Sequence, residues 1–334
     1  MKIIKTLKSL LVATALGIIV LMQSCKKSDP VIEPTPPAVT PTVVGIAQSD
    51  TSFSLLVEAV IKAGLAGTLS DLTKNYTVFA PTNAAFRSAG ITSAVIAAYT
   101  QPQIDAVLVP LLTYHVLGAK VVASGVPVSD AVTTLNGKKL FASSNANGVF
   151  LNGVKVVTPN LNASNGVVHV IGKILTPPTQ NIAQIVIAST TAPTPEFTLL
   201  LAAVSRAGLA GVLSGDGKYT VFAPTNAAFI ATGAPFNTTA SIATADSATV
   251  RKIVLAHVLG TNVFAGDLTI NGTWNTANPL TAVTPQQTLT ITGATALKIT
   301  GTTANASNII TTPTPLFNIV ATNGVIHVID RVLL

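Results

Sequence analysis

Apolar residues at Phe53, Leu56, Val57, Val60 and Ile61 fall at i, i+3, i+4, i+7 and i+8, the spacing of one helical face. Phe197, Leu200, Leu201 and Val204 repeat the stripe. Gly64 and Gly208 follow, and glycine readily takes the left-handed conformation that ends such helices. A second helical stripe joins Leu108, Leu111, Leu112 and His115, and recurs as Val250, Ile253, Val254 and His257. Gly118 and Gly260 read as the C-terminal caps of this pair. Pro110 must start, kink or interrupt the first member, because an interior proline removes a backbone donor. Lys252 stands at that place in the second, which predicts a more regular helix.

Strand patterns fill the gaps between helices. Tyr76 to Ala80 is a short aromatic and β-branched run, the composition of a buried strand. Pro81 stops it, and Thr82 has the position and chemistry of a helix N-cap. The pairs Asn136-Gly137 and Asn152-Gly153 are two-residue hairpin signals between apolar runs. Thr288 to Thr292 alternates as a half-buried strand does. A last strand places Val167, His169 and Ile171 on one face, with Val168 and Val170 on the other; Val325, His327 and Ile329 repeat that face.

These elements occur twice. Tyr76-Thr77-Val78-Phe79-Ala80-Pro81-Thr82-Asn83-Ala84-Ala85-Phe86 returns unchanged at Tyr219 to Phe229, an offset of 143. Flanking motifs keep nearly the same offset, and the segment Asn165 to Ile171 then returns at Asn323 to Ile329, an offset of 158. The second copy therefore carries an insertion, at about residues 262–320. A period this long exceeds solenoid repeats and implies tandem domains, each with its own core.

The ordered set TVFAPTNAAF, a His-Val-Leu-Gly segment and a closing NGVVHVI or NGVIHVI strand resembles the fasciclin domain. The resemblance implies an α+β fold of two tandem fasciclin-like domains. Each would be a β-sandwich or wedge packed with several short α-helices. The expected organisation is a leader over 1–24, a tether over 25–42, domains over 43–176 and 182–334, and a linker over 177–181. The family usually has an acidic residue after Pro-Thr, where Asn83 and Asn226 stand here. In animal adhesion proteins of the family, the segment around the Tyr-His pair is associated with integrin binding. That implies a possible contact surface near Tyr114 and His115, although the second copy has Ala256-His257. Tyr114 packed within its own domain is the competing reading.

Lys2, Lys5 and Lys8 precede an apolar stretch from Leu10 to Met22, too short to span a bilayer as a helix. A basic start followed by a short apolar core reads as a secretory signal. The single cysteine, Cys25, follows Leu21-Met22-Gln23-Ser24, an arrangement that resembles a bacterial lipoprotein processing site. Thioether lipidation of Cys25 is expected, with a proline-rich tether behind it. The alternative is a secreted protein with an incidental thiol.

Charged residues make up 9% of the chain, and the formal net charge of +7 becomes about +4 without the leader. The charges read as scattered, with no basic stripe interleaved with aromatics, which argues against nucleic-acid binding. Acidic residues do not adopt the spacing of a calcium loop.

Four histidines fall at equivalent repeat positions: His115 and His257 on helices, His169 and His327 on closing strands. Zinc binding would need a carboxylate partner that the first copy does not supply beside either of its histidines. The expectation is neutral rings bonded to backbone groups, with no metal and no cofactor. Thr82, Asn83, Thr225 and Asn226 are read in the same way, as structural corners. No catalytic constellation is visible in the sequence.

The expected function is a lipid-anchored adhesion or binding protein of the cell envelope. It would face the periplasm or the cell surface and present two domains to a matrix, cell-surface protein or polysaccharide ligand. Trp274, in the insertion, is a further candidate contact or a local core anchor. A passive envelope spacer is the alternative, and a hydrolase or metal-dependent enzyme is the least favoured.

Overall fold

The computed structural model describes residues 40–127, 129–268, 273–275, 288–292, 298–300, 306–310 and 318–333. Cys25, the leader and nearly all of the tether lie outside the described residues, as does most of the 262–320 insertion. Residues from Thr40 to Leu334 form one compact unit.

The first domain holds strands β1 (Tyr76–Pro81), β2 (Val116–Leu117), β3 (Ser129–Thr133), β4 (Lys139–Asn145), β5 (Gly148–Leu151), β6 (Val154–Ala163) and β7 (Gly166–Ile171). They form a single sheet in the order β2-β1-β7-β6-β5-β4-β3. Among the described residues, only its β1–β7 pair is parallel. Every residue of both strands is buried, which is why they read as unbroken apolar runs. One side packs on helices through Phe86, Leu56, Leu112 and Val168. The other packs on the hairpin strands through Phe79, Ile171, Leu140 and Leu151.

The second domain repeats the parallel centre. It holds β8 (Tyr219–Pro224), β9 (Val258–Leu259), β10 (Thr273–Asn275), β11 (Thr288–Thr292), β12 (Lys298–Thr300), β13 (Ala306–Asn308), β14 (Ile319–Ala321) and β15 (Gly324–Ile329). One sheet runs β14-β15-β8-β9 and another runs β10-β11-β12-β13. Among the described residues, a β-bridge between Ile309 and Ile329 links them. The α+β architecture with two tandem domains agrees with the expectation from the sequence.

Each parallel pair begins with an obligatory glycine. Gly166 lies opposite Tyr76 with φ +153°, and a Cβ there would stand 2.0 Å from the Tyr76 carbonyl oxygen. Gly324 meets Tyr219 in the same way, at φ +155° and 2.0 Å. A side chain would separate the two strands at the centre of the core.

Two local expectations need correction. The helix Ser54–Lys62 buries Leu55, Leu56, Ala59 and Val60, while Ile61 is 58% exposed. A 3-10 turn over Thr51–Phe53 precedes it, so Phe53 is out of phase with the helix and the buried stripe shifts. Gly118 and Gly260 are not caps either. The helices Val109–Tyr114 and Ser247–Ala256 end at His115 and His257, and β2 and β9 follow at once. Pro110 has the expected local effect: the chain widens to a π-turn over Ile104–Leu108 just before it, whereas Ser247–Ala256 runs unbroken.

The two domains touch through a small shared cluster. Phe141 of β4, Phe264 and Val325 of β15 are all buried together, with the two phenyl rings 5.9 Å apart. Asp267 sits beside them. Its Oδ1 accepts from Ser143 Oγ at 2.5 Å and from Asn145 Nδ2 at 3.2 Å, and its Oδ2 accepts from Phe264 N–H at 3.1 Å. Lys218 pairs with Asp130 across the same boundary.

Candidate functional site

The helix-borne histidines solve a problem created by the helix end. An α-helix leaves its last carbonyls without intrahelical partners. His115 N–H turns to Leu112 O, and the ring Nδ1 takes Leu111 O at 2.8 Å. The other nitrogen, Nε2, accepts Leu175 N–H at 2.9 Å. His257 repeats this with Ile253 O at 2.7 Å and Leu333 N–H at 2.8 Å. A carbonyl requires a donor and an amide requires an acceptor, so both rings are neutral with the proton on Nδ1.

The strand-borne pair takes the opposite tautomer. His169 Nε2 donates to Val121 O at 2.9 Å, and its Nδ1 accepts Asn160 N–H at 3.3 Å. His327 Nε2 donates to Val263 O at 2.8 Å, and its Nδ1 accepts Asn318 N–H at 3.3 Å. Phe79 and Phe222 stack on these two rings. Burial holds His115, His257 and His327 down to about 4, and lowers His169 in the same direction. All eight ring nitrogens are occupied by backbone partners, which leaves none for a ligand. Among the described residues no three His, Cys, Asp or Glu side chains gather as a metal site.

Tyr114 and His115 do not form a contact surface. Tyr114 is fully buried and His115 is 3% exposed. Asn152 Nδ2 donates to the Tyr114 hydroxyl at 2.8 Å, which in turn donates to Lys139 O at 2.9 Å. Burial pushes the phenol up to about 12. Packing within its own domain is the outcome for Tyr114, because β4 and the β5–β6 turn cover its ring. Trp274 is placed by its backbone alone, paired with Leu289 between β10 and β11; its side chain lies outside the described part.

Thr82 accepts Ala85 N–H and Thr225 accepts Ala228 N–H, each as an N-cap. The asparagines that follow reach a different helix. Asn83 Oδ1 accepts Leu55 N–H at 2.9 Å, and its Nδ2 donates to Thr51 O and Ser54 Oγ. Asn226 accepts Leu199 N–H at 3.1 Å and Thr198 Oγ, and donates to Pro195 O. A carboxylate could take the amide protons but could not donate to the carbonyl.

Asn165 and Asn323 carry more of the fold than their turn signal indicated. Asn165 Oδ1 accepts Val43 N–H at 2.9 Å, and its Nδ2 donates to Leu69 O and Asp71 O. Asn323 does the same with Ile182 N–H, Leu213 O and Gly215 O. Three segments distant in sequence meet on one buried amide in each domain. The identical Asn-Gly-Val context in both copies was the available signal.

One outer feature with the shape of a binding site, among the described residues, is a cleft of about 760 Å³ between the domains. Its floor is the connecting segment 176–180, and its walls come from β6, the end of β7 and β14. Of its lining residues, Asn152 and Gly153 were singled out as a hairpin signal, and none was read as a binding residue. The charge pattern did hold a signal. Residues 106–195 contain Lys120, Lys138, Lys139, Lys155 and Lys173 against Asp130 alone. The rest of the chain from Thr40 onward has nine basic and nine acidic residues. The net excess of that unit lies within residues 106–195, although its lysines are spread along the stretch and form no basic run.

Against known proteins, the family described as "Fasciclin domain" matches residues 51–177 and 195–334. This chain belongs to the fasciclin-domain family. It is 38% identical over 137 residues to "Protein sll1483" of Synechocystis sp., covering 41% of this chain and 74% of that one. It is 29% identical over 264 residues to "Transforming growth factor-beta-induced protein ig-h3" of Sus scrofa, covering 78% of this chain but only 35% of that protein. Human periostin is 30% identical over 158 residues, 46% of this chain and 18% of periostin. The animal relatives are thus much longer than the part matched. Among solved structures, a FAS1 domain pair from the insect cell adhesion molecule Fasciclin I shares 18% identity at a TM-score of 0.40, covering 85% of this chain and 97% of that one.

Proposed function

We propose that this protein is an adhesion or binding module of the cell envelope, tethered by a lipid on Cys25. Fasciclin domains are associated with adhesion, and that association is the reason for placing this chain in the class. The observation that carries the reading is the occupancy of the motif residues. The histidines, the Thr-Asn corners, Asn165 and Asn323 spend their side-chain polar atoms on groups of their own domain, most of them backbone. Such residues serve as scaffold, and recognition falls to the exterior. Two domains joined through Phe141, Phe264 and Asp267 would present those exteriors in a fixed relation, which favours simultaneous engagement of an extended ligand. The unidentified partner is a matrix or cell-surface protein or polysaccharide.

Surface plasmon resonance of the two-domain unit against matrix polymers, whole cells and itself tests the reading. Uniformly negative binding favours a passive spacer. Mass spectrometry of the mature protein tests the anchor, and an unmodified Cys25 removes it.

A further inference from the structure

The chain enters each domain through a clamp on one asparagine. Ser164 N–H donates to Pro41 O at 2.9 Å, and Val43 N–H donates to Asn165 Oδ1 at 2.9 Å. The backbone carbonyl of the same Asn165 accepts Tyr76 N–H at 2.9 Å. Val43 and Tyr76, 33 positions apart in the chain, therefore meet on a single residue. Asn323 repeats the arrangement, with Ile182 N–H on its side chain and Tyr219 N–H on its carbonyl, while Thr322 N–H donates to Gln180 O.

What lies between those two ends is held differently from the sheet. Residues 43–75 contain helical turns and no strand. Among the described residues, no backbone-to-backbone hydrogen bond joins them to the strands of their domain. Their polar ties run through side chains, chiefly the amides of Asn165 and Asn83, and the rest is apolar packing. The other end of each domain is the reverse. Leu175 follows β7 by four residues and Leu333 follows β15 by four. β7 is paired with β1 and β6, and β15 with β8 and β14, so each has a ladder on both sides. A pull along the chain thus meets a side-chain clamp at the entry and paired strands at the exit.

We infer that residues 43–75 form an extension released by tension and latched by Asn165, with residues 182–218 as the counterpart under Asn323. Asn165 stands immediately before β7. While the latch is shut, load entering at Val43 crosses to Asn165 and runs along β7 to Leu175, bypassing the helices. Once the bond to Asn165 parts, the helices are next in line and have no ladder to hold them. Segments with few backbone bonds to the rest of a fold open at lower cost than laddered strands. Two ends that began on one residue then separate by about 100 Å, at roughly 3.3 Å for each extended residue, while the strands remain paired. The use of such a device rests on the adhesion reading above, since only a chain anchored at one end and bound at the other is stretched. The latch itself belongs to the fold.

The test is optical-tweezers stretching of the unit Thr40–Leu334, whose core side chains all lie between Val43 and Leu333. Pulled by its two ends, the wild type should release a contour length of about 100 Å from each domain before the strands part. Asn165→Ala should open the first-domain step at least about tenfold faster at fixed force, as expected for a lost buried bond, and leave the second-domain step unchanged. Moving the near handle to exposed position 74, through Lys74→Cys in a unit without another cysteine, takes residues 43–73 off the load path. The first-domain step should then vanish although the domain is intact. A wild type that yields each domain in one event, without the short step, overturns the inference. So does a first-domain step that survives pulling from position 74, a result that stands even where Asn165→Ala fails to fold. These readouts need neither lipid nor ligand, so they separate failure of the latch from failure of the adhesion reading.

Discussion

His115 Nε2 accepts the backbone N–H of Leu175 at 2.9 Å, while its Nδ1 is bonded to Leu111 on its own helix. One ring therefore ties a helix end to the segment that closes the first domain. His257 makes the same tie to Leu333. The acceptor role exists only while the ring is neutral, and stability should follow its protonation.

Unfolded imidazoles titrate near 6.5, whereas burial holds His115, His257 and His327 down to about 4. Below pH 6.5 the unfolded chain takes up protons that the folded chain refuses. Stability is thus complete above that value, falls as pH drops towards about 4, and then levels. Each ring steepens the slope by up to about 1.4 kcal/mol per pH unit. Asp50, Asp71, Asp130 and Asp246 are held below the ordinary carboxylate range, so their contributions are lost at still lower pH. Urea denaturation at pH 7.5, 6 and 4.5 checks this, and a flat profile contradicts it. His115→Ala and His257→Ala should each cost about 1 to 3 kcal/mol, because a buried amide and a carbonyl lose their partner.

The tautomers give a second measurement. His115 and His257 should carry the proton on Nδ1, and His169 and His327 on Nε2. Nitrogen chemical shifts of the four imidazoles distinguish the two forms. Four rings of one kind would contradict the hydrogen-bond assignment.

Asn165→Ala should be more damaging than its place in a turn implies. It strands Val43 N–H and the carbonyls of Leu69 and Asp71. A loss of about 2 to 4 kcal/mol is expected in denaturant titration. Asn83→Asp should cost less, about 1 kcal/mol, since the carboxylate still accepts Leu55 N–H and fails only at Thr51 O.

Asp267→Ala, alone or with Phe264→Ala, should loosen the domains from each other without unfolding either. Calorimetry should then resolve two transitions where the wild type gives one, and small-angle scattering should report a broader distribution of sizes. An unchanged single transition in the double variant would show that the joint lies elsewhere.

The repeat, the strands that become β1, β7, β8 and β15, the N-caps at Thr82 and Thr225 and the effect of Pro110 were legible along the chain. Each depends on neighbours within a few residues, or on an apolar run that demands burial wherever it goes. The parallel pairing of those strands was not legible. The burial of Tyr114 was legible only as one of two readings, because chain order does not say what arrives to cover a side chain. The roles of Asn165 and Asp267 were not legible. Their partners lie up to 124 residues away, as in Ser143 with Asp267. Chain order carries no information on such distances until both domains have folded and met.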